Sequence, residues 1–112
     1  MSQADIETLE VQMDQAKDAI ELRDAVRRLI NNKDFQKVIL EGYFEKEPAR
    51  LVALLSDPSM QIEDRQVGLK NSMIGIGQLQ MHFRFIESYA QQMEAAMQED
   101  EETHTNMMAE AI

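Results

Sequence analysis

The segment EETH places Glu101 three residues before His104. On a helix this spacing puts a carboxylate and an imidazole on one face, and di-iron bundles use it. Such bundles need two Glu-x-x-His motifs and two further glutamates facing one core. The only other histidine, His82, follows Leu79 at that spacing, so the ligand set is incomplete. With no cysteine in the chain, thiolate metal sites and disulfides are excluded as well. There is no His-Glu-x-x-His, no phosphate-cradling glycine loop and no nucleophile elbow. Gly75-Ile76-Gly77 alone carries no nucleotide fingerprint. The expectation is a non-enzymatic protein with no catalytic residues, no metal and no cofactor, because acid, base and nucleophile partners do not assemble into a set.

The remaining side chains of interest suit contact rather than catalysis. His82 lies beside the apolar seam of its helix and reads as a surface or interface residue. Met60, Met73, Met81, Met93 and Met97 fit either a pliable binding face or the filling of a helical core. Met107 and Met108 lie beyond the seam and read as disordered or partner-bound. Tyr43 and Phe44 are core residues or anchors for a partner.

Composition narrows what must position these groups. The 112 residues argue for one domain. Aromatics, glycines and prolines are few, and nine methionines accompany many Ala, Glu, Gln and Leu. These are helix formers, and few turn residues disfavour a β-sandwich or barrel. The expected fold is all-α. Twenty-one Asp and Glu against eleven Lys and Arg give a net charge of −10. Direct nucleic-acid binding is therefore not expected, since phosphate contacts need clustered cations. The start MSQADIETLE has neither a basic region nor an apolar run, so no signal peptide is expected. No stretch approaches the ~20 apolar residues of a membrane span.

Four helices are expected. Helix 1 covers about 2–30, with Ser2 as N-cap and Asp5 and Glu7 in its first turns. Ile6, Leu9, Met13, Ala16 and Ile20 form its seam. The seam fails at Arg23 and Arg27 and resumes one step over at Val26, Leu29 and Ile30. Helix 2 covers about 34–44, capped by Asn32 or Asp34, with Phe35, Val38, Ile39 and Tyr43 on its apolar face. Gly42 and the dipeptide Glu47-Pro48 end it, since the residue before proline disfavours the helical region. Helix 3, about 48–55, carries Leu51, Val52, Leu54 and Leu55 pointing in most directions and is expected to be largely buried, and Asp57 caps the next turn. Helix 4 covers about 61–102. Leu69, Ile76, Phe83, Ala90 and Met97 occupy its a positions, and Ser72, Leu79, Ile86 and Met93 its d positions. Gly75 and Gly77 either admit a neighbouring helix or mark a bend. Residues 104–112 have weak periodicity and are expected to fray.

These pieces assemble into one domain over residues 1–103, a long antiparallel, coiled-coil-like hairpin of helices 1 and 4. Helices 2 and 3 pack at its closed end as a knob. The knob comprises Phe35, Val38, Ile39, Tyr43, Leu51, Leu54 and Leu55, as core or partner face. An acidic tip, Asp5, Glu7, Glu99, Asp100, Glu101 and Glu102, lies at the other end, either solvated or docking on a cationic surface. Val11, Leu22, Ile74, Met81, Phe85 and Tyr89 lie off the main stripes, and this second face predicts a homo-oligomer or a groove on a larger assembly.

The central stretch DFQKVILEGYFEKEPARLVALLSDPSMQ, extending upstream into AIELRDAVRRLINN, resembles small acidic helical proteins encoded among the head and DNA-packaging genes of tailed bacteriophages. The resemblance covers about 28 residues and includes no catalytic motif. It implies a virion or virion-assembly role, head or portal proteins as partners, and residence in the bacterial host cytoplasm and the virion. One departure is charge: many scaffolding proteins end in a basic coat-binding helix, and this chain ends acidic. The alternative is an acidic inhibitor that mimics nucleic acid and blocks a host DNA-binding or defence protein.

Overall fold

The computed structural model describes residues 2–111, and every element among them is helical. Helix α1 spans Gln3–Ile30. A short α-helical turn, α2, covers Lys33–Phe35 and runs without a break into a π-helical segment, Gln36–Lys46, and then into α3, Glu47–Leu55. A 3₁₀ turn at Pro58–Met60 leads to α4, Glu63–Ala111. The protein is all-α. No helix among the described residues is long and apolar enough to cross a membrane.

The helix starts are held by side chains that replace missing backbone partners. Ser2 and Asp5 form a reciprocal box: the Asp5 N–H donates to Ser2 Oγ, and the Ser2 N–H donates to Asp5 Oδ2 at 3.2 Å. Hydrogen bonding from Ser2, its backbone N–H first and its side chain next, holds the Asp5 carboxyl below its ordinary range. Asn32, rather than Asp34, caps α2 by accepting from the Phe35 N–H at 3.0 Å. Asp57 accepts from the Ser59 N–H and hydroxyl at 2.8 and 2.6 Å, which likewise lowers its carboxyl. Gln61 and Gln66 donate side-chain amides to the Leu55 carbonyl at the end of α3.

The expected stop between helices 2 and 3 is not a stop. Residues 33–55 wind continuously, and the winding widens instead. The Glu47 N–H donates five residues back, to the Gly42 carbonyl. Pro48 has no N–H to offer, and its ring crowds the carbonyl four residues before it in an α-helix. A wider turn ahead of Pro48 relieves that crowding and lets α3 resume with proline in its first turn. Gly42 suits the same stretch, because a Cβ there would lie 3.2 Å from the Lys37 carbonyl oxygen.

The chain forms two compact units. The first joins the residues up to Val26 with those from Phe85 onward; the second is Arg27–Arg84. In the second unit Leu51, Leu69 and Ile76 are buried together, with Tyr43, Phe44, Leu54, Leu55, Met60 and Met73 packed around them. Phe35 and Phe44 each meet Phe83 edge-on, with centroids 6.0 and 6.1 Å apart. In the first unit α1 and α4 lie side by side, with Ile6, Ala16, Val26, Ile86, Ala90 and Met107 buried.

One of the two readings of Gly75 and Gly77 falls here, and so does the frayed tail. Gly75 and Gly77 do not serve a close helix approach, since nothing lies within 4 Å of a Cβ built at either. Residues 104–111 are helical, with His104 half-buried and Met107 buried; Ile112 lies outside the described residues. The heptad of α4 explains the second point. Counting on from Met97, His104 is the next a position and Met107 a d position. Polar residues at Asp100 and His104 masked a seam that continues.

Candidate protein-interaction surface

The same effect occurs in α1. Arg23 stands seven residues after Ala16, at a seam position, and is 7% exposed. Its guanidinium donates to Glu94 of α4 at 2.6 Å and to Asp24 at 3.3 Å. The hydrogen bond to Glu94, then that to Asp24, raises the arginine pKa above its ordinary value, so the charge is permanent. The seam therefore does not fail at Arg23; it carries an ion pair there. A second cross-helix pair, His104 Nε2 to Glu10 Oε1 at 3.0 Å, joins the same two helices. Residues 10 and 23 of α1 meet 104 and 94 of α4, so the helices of this unit run antiparallel.

His104 thus faces Glu10, and Glu101 of the EETH motif is exposed. No group of three or more His, Cys, Asp or Glu among the described residues has the geometry to hold a metal ion. His82 is exposed beside Phe83, with centroids 6.4 Å apart.

The seam residues divide between the units. Ile6 and Ile86 are buried in the first, where Leu9, Met13, Ile20, Met93 and Met97 are half-buried. Leu69 and Ile76 are buried in the second, where Leu79 and Phe83 are half-buried. Ser72, a d position of the same heptad, is exposed and donates to the Gly68 carbonyl. Among the knob residues Leu51 is buried, and Phe35, Ile39, Tyr43, Leu54 and Leu55 are half-buried. Two residues are corrections: Val52 of α3, expected in a largely buried helix, is 55% exposed, and Val38 is 63% exposed. The expectation placed Val38 on a 3.6-residue helix, and π winding rotates each side chain relative to that period. Of the acidic tip, Asp5, Glu7, Glu99, Glu101 and Glu102 are exposed and Asp100 is half-buried. Asp5 is already engaged as a cap.

The methionines split as well. Met60 and Met73 fill the second unit's core, while Met81 is exposed. Met107 is neither disordered nor solvent-facing but part of the first unit's core; Met108 is exposed.

What remains uncovered in the first unit is a second apolar face. Val11, Leu22, Phe85 and Tyr89 are all exposed, and the Phe85 and Tyr89 rings stack at 5.5 Å and 15°. They border a groove of about 490 Å³ lined by Gln15, Asp18, Ala19 and Leu22 of α1 and Phe85, Ile86 and Tyr89 of α4. A second hollow of about 440 Å³ shares Gln15 and follows α1 past Val11 to Ala4. Leu22 and Val11 are eleven residues apart, close to three turns, so both hollows lie along one side of α1. Comparison with protein families, curated proteins and solved structures gives no match.

The sequence marked Val11, Leu22, Phe85 and Tyr89 as off the main stripe. It did not mark Arg23, Glu94, Glu10 or His104 as seam partners. Counting the heptad through polar residues is the signal that finds Arg23 and His104.

Proposed function

We propose that this chain is a non-enzymatic helical assembly protein of a tailed-phage virion, working through protein–protein contacts with head, portal or packaging components. The exposed face around Leu22, Phe85 and Tyr89 is the observation that carries the interaction reading. Stacked aromatics open to water beside an apolar groove are the anchors on which interfaces concentrate their energy. The phage assignment draws on the resemblance of the central stretch. Homo-oligomerisation is assigned to the second unit, where Val67, Ile74 and Met81 are exposed at seven-residue spacing. That unit holds nine basic and seven acidic side chains, so two copies meet without strong repulsion.

The test is capture by the tagged full-length chain from phage-infected host lysate, at low and moderate salt, with mass spectrometry of bound proteins. Portal, capsid or packaging proteins that persist in moderate salt support the proposal. A host nuclease or defence complex that leaves with salt overturns it in favour of nucleic-acid mimicry. The first unit's fourteen acidic side chains against two basic ones favour that second reading. Distribution opposes it. The acid is concentrated in the first unit, while the second holds nine basic and seven acidic side chains, so no acidic track runs through the whole protein.

A further inference from the structure

We infer that the groove of the first unit receives an amphipathic α-helix with a basic edge, which completes a three-helix bundle with α1 and α4. This rests on the interaction reading above and names its partner's chemistry. The floor is apolar: Leu22, Phe85, Ile86 and Tyr89. From it the exposed surface continues along α1, where Val11 lies in a second hollow that shares Gln15 and is lined by α1 alone. A helix laid there covers both with one apolar stripe.

The wall supplies the sign of the partner's charge. Glu7, Asp14 and Glu21 follow one another at heptad spacing, all exposed, and run beside the Val11 and Leu22 stripe on α1. Asp18 enters the groove itself. An acidic row flanking an apolar seam is the arrangement by which coiled-coil helices choose partners with Lys or Arg at the matching flank. On the α4 side Ser88, Gln92 and Ala95 are uncharged where they flank Phe85 and Tyr89, and the same row turns acidic further on, at exposed Glu99 and Glu102. The row that is acidic along its whole length is the one on α1, so the partner's basic edge lies against that helix.

Charge also selects against a second copy of this unit as the occupant. Its only basic side chains are Lys17 and Arg23, and Arg23 is held by Glu94 and Asp24. Two such units would oppose acid to acid across the groove.

The probe is a labelled peptide of about three heptads with Leu at a and d, Lys at e and Ala or Gln elsewhere. Its control has the same composition, shuffled so that the leucines encircle the helix. Fluorescence anisotropy with the full-length protein is expected to show the patterned peptide binding about tenfold or more tightly than the control. Leu22→Ser with Phe85→Ser removes that preference; both side chains are exposed, and circular dichroism checks that helicity is kept. Glu7→Gln, Asp14→Gln and Glu21→Gln together weaken binding and flatten its salt dependence. Equal binding of the two peptides overturns the inference, because only diffuse charge is then being read. So does sedimentation showing a dimer of the full-length chain that Leu22→Glu dissolves. The Leu22→Ser, Phe85→Ser variant, run beside wild type in the lysate capture, separates the two proposals. A head protein retained by both leaves the assembly reading and overturns the groove; one retained by neither overturns the assembly reading; one retained by wild type alone supports both.

Discussion

The two units solve the same problem, burying apolar surface with few helices, in opposite ways. The second gathers material from several elements around Leu51, Leu69 and Ile76, rings it with Phe35, Phe44 and Phe83, and stays close to charge balance. The first has only two helix stripes, carries a large excess of acid, and places Arg23–Glu94 and Glu10–His104 across its seam. The difference teaches what sets register. Shape does so where many side chains interlock. A two-helix seam of interchangeable Leu, Ile, Met and Ala would tolerate a slip by one heptad, and a buried charge with a single partner on the opposite helix forbids it.

The sharpest way to break this contrast is to empty the interlocked core. Leu51→Ala is expected to lower stability by about 2–4 kcal/mol in urea denaturation. A loss below about 1 kcal/mol would mean that the cluster around Leu51 does not hold the second unit together. Next comes Arg23→Ala, which leaves Glu94 without its cation. It should lower the urea midpoint by less than Leu51→Ala, because Glu94 remains partly open to water. Arg23→Met with Glu94→Leu should recover the midpoint and lose register, read as broadened amide resonances in the first unit. Unchanged resonances would remove the claim that the ion pair fixes alignment.

Smaller effects test the helix ends and interiors. Asn32→Ala removes the cap of α2 and should cost about 1 kcal/mol, whereas Asp34→Ala should cost little. Gly77→Ala should stabilise the second unit by up to about 1 kcal/mol, since its Cβ meets open space; a loss instead would show that a partner packs there. The smallest effect is pH-dependent. Hydrogen bonds from Ser59 lower the Asp57 carboxyl below its ordinary 3.8. A carboxyl lowered on folding contributes stability above its unfolded value and loses it as pH falls through the folded one. The melting-temperature gap between wild type and Asp57→Ala should therefore be full at pH 7 and shrink below pH 3.8. A gap that holds steady into acid would assign the Asp57 contribution to something other than its charge.

The legible parts of the fold were those written in local chemistry. Helix-forming composition, the Ser2 and Asp57 caps, and the Leu69–Ile76 and Ile86–Met93 repeats are each visible over a few residues. So was the list of apolar side chains left over, which the structure places in the open. The illegible parts involve competition between local rules. Pro48 reads as a terminator, yet the helix keeps its continuity by widening, because a change of winding relieves the ring without giving up the chain of backbone bonds. Val38 follows from that change and moves to the outside.

The amino-acid sequence by itself determined that this protein is helical, that its excess of acid lies toward the two ends of the chain, and that two stripes of apolar residues seek cover. These are properties of residue type and spacing, and they hold whichever helix lies opposite. Only the tertiary structure decided that Arg23 and His104 belong to the seam, that Met107 is core, and that the chain divides into two units. A polar side chain enters a seam only if a partner of opposite character stands across from it. That partner lies 71 residues away for Arg23 and 94 for His104. No reading confined to one helix contains it.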